Sequence, residues 1–321
     1  MSGDRTKRAT RGVTRALPRI AITMGDPGGI GPEVAIKAAC DRRVIRACEP
    51  VIVGDRRVLE RVARGLGRSG VAGAPTRAGG AAAGRAIEEA VRLALAGEVG
   101  GVVTAPVSKQ SLALAGYGMV GHTEIIAGLT GARRYAMMMT SPGMRVVFVT
   151  THLPLERVAR SLSTRVVFEK IALARDYLRR FEGERAPRIA VCGLNPHCGE
   201  GGALSDEERR VIEPAIRKAR RAGIRAEGPY PAEVVFGERR AGDFAAIVAM
   251  YHDQGMIPIK IRDPEDVVNV TIGLPIARTS PGHGTAFDIA GKGVADPTSM
   301  VRAVLECVRL AKRLRQGDKR S

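Results

Sequence analysis

The sequence predicts an α/β protein with a largely parallel sheet covered on both faces. Two patterns carry this. Short apolar runs rich in Val and Ile recur at residues 19–23, 50–53, 101–104, 145–150, 188–192, 245–250 and 269–272, and longer helical patterns lie between them at 32–47, 85–96, 166–180, 206–222 and 298–313. Strands that read as continuous apolar runs, separated by helix-length segments, are what a sheet buried on both sides requires. The stretch 70–84 is rich in Gly and Ala and reads as a loop. No internal repeat is visible. At 321 residues the chain is long enough for two lobes.

Composition narrows the class. Hydrophobic residues make up 45% of the chain and charged residues 26%, a globular balance. No apolar stretch approaches the roughly 18 residues of a membrane span, and no signal-peptide core precedes the first strand, so a soluble cytoplasmic protein is expected. Residues 1–18 are basic and without periodicity, and read as a tail. The five cysteines are odd in number with no CxxC pair, which fits a reduced compartment without a zinc ribbon. The net charge of +18 attracts anions, but with 3% aromatic residues and no Trp there is little to stack nucleic-acid bases on. Most of the excess is Arg along helical stretches, as a solvated helix face would carry, and no nucleic-acid or membrane partner is expected.

The five histidines all fall in short segments dense with Gly, Pro, Thr or Asn: His122 in GHTE, His152 in TTHLPL, His197 in GLNPHCGEGG, His252 in MYHDQG and His283 in SPGHGTAFDIAG. His152, His197 and His252 each follow a strand almost at once. The carboxyl ends of parallel strands share one edge, where ligands bind. Three imidazoles at one edge suit a divalent metal with positions left open for substrate, and zinc, Mn, Co or Mg all remain possible. TMGDPGGIGPE, from Thr23 to Glu33, joins strand to helix through a Gly-rich turn. It is neither GxGxxG nor a P-loop, and either an anion cradle or a tight turn with Pro32 in the first helical turn explains it. Lys260, Asn269 and Arg278 offer a point charge, an amide and a guanidinium fork suited to phosphate or carboxylate, and TAPVSK, ending at Lys109, is similarly placed after a strand. GxSxG and HExxH are absent, which leaves serine hydrolases and zincin proteases without support.

Taken in order, ITMGDPGGIGPE, VVTAPVSK, GHTE, TTHLPL, GLNPHCGEGG, AMYHDQG, VNVTIGLPIARTS and HGTAFDIAGKGVADP resemble the 4-hydroxythreonine-4-phosphate dehydrogenase (PdxA) family, from about Arg19 to Pro297. The resemblance implies two α/β/α lobes with a cleft between them, similar to isocitrate and isopropylmalate dehydrogenases. The lobes are expected at 19–140 plus 275–321 and at 141–274. It also implies a homodimer with an active site shared between subunits. His152, His197 and His252 would hold the metal. His122, Thr123, Lys260, Asn269 and Arg278 would bind substrate, with catalytic roles for Lys260 and Glu233. The implied reaction is metal-dependent oxidation and decarboxylation of 4-phosphooxy-L-threonine with NAD or NADP, in pyridoxal phosphate (vitamin B6) biosynthesis. No cofactor-contacting residue is assigned.

The chain departs from the family where PAE places Glu233 at a usual Asp, where LSDEE (204–208) replaces MGxEE, and where MGDPGGIGPE replaces PGEPAGIGPD. These changes bear on which acid is used. D-threonate or D-erythronate 4-phosphate, or an unphosphorylated cis-dihydrodiol, are the alternatives within the same chemistry. A non-catalytic anion- or nucleic-acid-binding protein is the alternative from another class, and retention of the metal histidines, Lys260 and Arg278 argues against it.

Overall fold

A computed structural model describes residues 16–65, 73–237 and 242–317. Among them ten strands form one sheet: β1 (Arg19–Thr23), β2 (Glu49–Val53), β3 (Gly101–Thr104), β4 (Ala136–Ser141), β5 (Met144–Phe148), β6 (Arg188–Cys192), β7 (Arg225–Tyr230), β8 (Ala246–Ala249), β9 (Val268–Ile272) and β10 (Ala277–Pro281). Their order across the sheet is β2-β1-β3-β10-β9-β4-β5-β8-β6-β7. The helices are α1 (Gly31–Ala39), α2 (Arg42–Ala47), α3 (Arg56–Arg64), α4 (Arg77–Leu95), α5 (Lys109–Leu114), α6 (His122–Thr130), α7 (Leu155–Ser161), α8 (Thr164–Tyr177), α9 (Glu213–Arg221), α10 (Ala232–Phe236), α11 (His252–Arg262) and α12 (Thr298–Gly317).

The α/β class is as the alternation predicts, and the reason is visible in β1. Ile20 and Ile22 enter the main core on one face, while Ala21 joins Ala86 and Ala90 of α4 on the other, all fully or nearly fully buried. A strand covered twice must be apolar on both sides. The sheet is parallel in two blocks, β2-β1-β3-β10 and β5-β8-β6-β7, joined through the antiparallel pairs β10–β9, β9–β4 and β4–β5. Because β5, β8 and β6 are parallel neighbours, the segments carrying His152, His252 and His197 leave the same edge.

Several elements differ from expectation. β4 (AMMMTS), β7 (RAEGPY) and β10 (ARTSP) carry no Val/Ile run, and Met, Arg and Pro stand in place of β-branched residues. Their pairing partners, not their propensity, make them strands. The helix expected over 32–47 is two, because Asp41 turns its carboxylate onto the N–H of Arg43 at 2.7 Å and starts α2 afresh. The loop expected over 70–84 is helical from Arg77, with Thr76 Oγ1 accepting from Gly79 N at 3.0 Å, whereas residues 70–72 lie outside the described residues. So does most of the basic tail. None of the described helices is long and apolar enough to cross a membrane.

Candidate active site

A cavity of about 220 Å³ lies where the two parallel blocks meet, and it gathers His122, Thr123, His152, His252, Asn269 and Arg278. The sheet floor explains why. Met139 of β4, Asn269 of β9 and Ser280 of β10 are cross-strand partners and line the cavity as one row. Arg278, two residues before Ser280, extends along the same face.

Arg278 is 1% exposed, and both its bonded partners are neutral hydroxyls: Nη1 donates to Thr271 Oγ1 at 2.8 Å and Nη2 to Thr104 Oγ1 at 2.6 Å. Its buried Nε has no partner. Burial pushes the guanidinium down to about 10, with the charge of Glu124 opposing. A buried cation bonded only to hydroxyls is an expensive arrangement that an anionic ligand would relieve. Asn269 leaves its buried Oδ1 unpartnered as well.

His122 opens α6, where Glu124 reaches back to accept from Gly121 N at 2.9 Å. Its Nε2 lies 3.0 Å from the carbonyl of Ala105, so Nε2 carries the proton and Nδ1 presents a lone pair. Burial, then the Arg278 charge, push the imidazole down to about 3, although part of the ring remains accessible. Both effects favour the neutral ring as a hydrogen-bonding group.

His152 and His252 approach with ring centroids 6.0 Å apart. Two imidazoles on one tetrahedral ion, with bonds of roughly 2.0–2.1 Å, have centroids roughly 5 Å apart, so a small side-chain rotation allows joint ligation. His252, the first residue of α11, has its Nδ1 held 2.6 Å from Asp253 Oδ1, which leaves Nε2 as the outward donor. The His152 imidazole is pushed down by burial and by Lys109 and His252, against Glu124. Its unprotonated state is the one a metal needs. Gly255 lets α11 sit this close: a Cβ there would lie 2.6 Å from Val146 Cγ1 and 2.8 Å from Phe148 Cε1.

His197 is held apart. It stands in a left-handed turn after β6, with φ of 50° at His197, 55° at Cys198 and 49° at Glu200, and no three His, Cys, Asp or Glu among the described residues group closely enough to hold a metal within one chain. Three non-glycine residues in that region cost roughly 1–2 kcal/mol each. Glu233, exposed in the first turn of α10, faces the same neighbourhood: burial chiefly, then the charge of Glu208 and last that of Glu233, raise the Cys198 thiol. Gln254 braces the two histidine segments: its Nε2 donates to Gly193 O and its Oε1 accepts from Met250 N, both at 2.6 Å. One chain thus carries His152 with His252 and, separately, His197 with Glu233.

Lys260 in the last turn of α11 donates to Gly282 O at 2.6 Å, and it is Gly282 that lines the cavity. Lys109, Glu124 and His283 also line it. Glu124 and Gln254 stood inside the quoted motifs without a role, and only their partners reveal one. In the Gly-rich turn, a Cβ on Gly25 (φ 70°) would meet Pro106 O at 2.5 Å, and Asp26 Oδ1 accepts from Gly28 N at 2.8 Å, so the glycines serve close packing.

A larger groove of about 440 Å³, between the β4–β5 turn and α12, contains Arg145, Arg302 and Arg309. Their partners are Glu182, Asp266 and Glu306 at 2.7–2.9 Å, so its charges are matched in pairs and it lacks the uncompensated cation of the smaller cavity.

The model of the PdxA family, described as pyridoxal phosphate biosynthetic protein PdxA, matches residues 46–307. A 4-hydroxythreonine-4-phosphate dehydrogenase of Desulfosudis oleivorans is 44% identical, covering 89% of this chain and 94% of the relative. A D-threonate 4-phosphate dehydrogenase of Cupriavidus necator is 41% identical over 92% of this chain and 98% of the relative. Among solved structures, the 4-hydroxythreonine-4-phosphate dehydrogenase of Klebsiella pneumoniae superposes with a TM-score of 0.82 at 37% identity, covering 92% of this chain and 99% of that one.

Proposed function

The chain belongs to the PdxA family, and on that premise we propose that it is an NAD- or NADP-dependent dehydrogenase that oxidises and decarboxylates 4-phosphooxy-L-threonine in pyridoxal phosphate biosynthesis. The observation that carries this reading is Arg278, a buried guanidinium bonded only to hydroxyls in the cavity that also holds two imidazoles 6.0 Å apart. A phosphorylated hydroxy acid supplies the missing counter-charge.

The donor set suits a divalent metal in part: His152 and His252 would provide two nitrogens from one chain. We assign the third to the partner subunit's His197, which makes the site one shared by a homodimer. Exposed apolar side chains support this: Leu155 (71%) on α7, which lines a cavity with His152 and His252, and Ile257 (55%) on α11. A second copy would cover them and bring His197 with Glu233 to the cavity mouth. A divalent metal held there would supply Lewis-acid stabilisation of negative charge on the substrate oxygen.

The chain's own residues do the positioning. Arg278 offers Nε–H to the anionic end of the substrate, and Lys260 and Lys109 add positive charge at the rim. Neutral His122 accepts a hydrogen bond at Nδ1, and Asn269 Oδ1 accepts one from a substrate hydroxyl or ammonium group. We assign the proton-handling role to Lys260, whose Nζ donates to Gly282 O beside the cavity, and to Glu233 brought there with the partner subunit's His197.

D-threonate 4-phosphate is the second reading, favoured by relatives of nearly equal similarity and by Glu233 standing where Asp is usual. The test is NADH appearance with purified, metal-loaded protein. 4-Phosphooxy-L-threonine is compared with the 4-phosphates of D-threonate and D-erythronate, each with and without chelator. Chelator-sensitive turnover of the first alone supports the proposal. Turnover of a sugar-acid phosphate instead moves the enzyme to sugar-acid catabolism. Activity only on unphosphorylated diols would reject the phosphate reading.

A further inference from the structure

The turn that carries His197 is held by one buried carboxylate. Glu208 is 3% exposed. Its Oε1 accepts the backbone N–H of Leu194 at 2.7 Å and of Asn195 at 2.8 Å, and its Oε2 accepts from Asn195 Nδ2 at 3.0 Å. Glu207 takes the same Asn195 amide at 3.0 Å, and Ser205 donates to Glu207 in turn. The far side of the turn closes on the same group: a Cβ at Gly199 would lie 2.8 Å from Glu208 Oε2 and 2.5 Å from Ser205 O. All three bonds to Glu208 come from residues two or three positions before His197, and they run across the chain from the segment 205–208. A left-handed run through His197, Cys198 and Glu200 does not hold itself, because L-residues leave that region unless something outside the run prevents it.

We propose that Glu208 is a positioning residue for His197, an anionic clamp that fixes the left-handed turn so that the imidazole is presented for metal ligation. This rests on the reading of His197 as a metal ligand. The carboxylate takes two part-buried backbone donors, and its charge strengthens each of those bonds relative to a neutral acceptor. Preorganisation of the ligand is what such an outer carboxylate contributes, and losing it weakens metal binding without removing a donor atom.

The test uses the full-length protein, loaded with cobalt(II) by titration against a competing chelator, with the visible cobalt spectrum and the apo-protein Tm followed in parallel. Glu208→Ala is expected to weaken cobalt binding about 10–100-fold and to alter the spectrum, whereas Glu208→Gln, which keeps a neutral acceptor for the two backbone N–H groups but sets an amide against Asn195 Nδ2, recovers part of that loss. Asn195→Ala, which removes only the side-chain arm, gives a smaller loss and serves if Glu208→Ala does not fold. A Glu208→Ala protein with lower Tm but wild-type cobalt affinity and spectrum overturns the proposal and leaves Glu208 a plain loop staple. His197→Ala is the control. If it binds cobalt as wild type does, the ligand reading itself has failed, whatever the Glu208 variants show.

Discussion

Replacing Arg278 by Met separates binding from stability, because affinity should fall while stability barely changes. The guanidinium is pushed down to about 10, more than two powers of ten below its ordinary range, chiefly by burial. At 1.36 kcal/mol per power of ten, holding it charged costs the folded chain about 3 kcal/mol. Met removes that cost. It also removes the two hydrogen bonds to Thr271 and Thr104, worth about 1–1.5 kcal/mol each. The net change in stability is therefore about 1 kcal/mol or less, a Tm shift of roughly 2 °C in a chain of this size. Breaking an ordinary buried ion pair would cost about 3–5 kcal/mol. Binding behaves otherwise: loss of a charge-assisted contact to an anion, about 2–3 kcal/mol, should raise the Kd for the phosphorylated substrate roughly 30- to 150-fold. The assay is thermal unfolding of apo protein beside calorimetric titration with substrate. A large fall in Tm with unchanged affinity would show that Arg278 is a structural cation, and the assignment of the anion site would be wrong.

Acid should reach the fold through His122. Its folded value, about 3, lies below that of the unfolded chain, so the unfolded state binds more protons between these limits, and stability present at neutral pH is lost as pH falls below about 6.5. His122→Asn should flatten the Tm-against-pH curve between pH 4 and 6.5, and superimposable curves would show that the ring is not held neutral. Gln254→Leu strands Met250 N–H and Gly193 C=O, at about 1–3 kcal/mol each, so chemical denaturation should show a loss of several kcal/mol. A loss below about 1 kcal/mol would remove Gln254 as the brace between the two histidine segments. Glu233→Asp draws an exposed carboxylate back by one methylene and should leave Tm unchanged. The ratio of kcat/KM for 4-phosphooxy-L-threonine over D-threonate 4-phosphate should rise about threefold or more, within the range of one misplaced contact, and an unchanged ratio would take Glu233 out of substrate selection.

The sequence makes the fold class legible, because a twice-covered strand such as β1 must be apolar at consecutive positions and Ile20, Ala21 and Ile22 say so directly. The sequence also offered Lys260, Asn269 and Arg278 as an anion-suited set, whereas a substrate role for His122 rested on the family resemblance. It did not reveal β10 as a strand, although Arg278 sits in the middle of it. ARTSP reads as a turn until β3 and β9 pair with it on either side. Tertiary structure alone decided that His152 and His252 meet while His197 stands apart. Chain order placed all three after parallel neighbours, but how far each loop reaches depends on side-chain partners distant in sequence: Asp253 on His252, Gln254 between two loops, and Glu208 beneath the left-handed turn. A hydrophobic pattern is written locally along the chain. The position of a metal donor to within an ångström is a sum of contacts between segments, and no local pattern contains it.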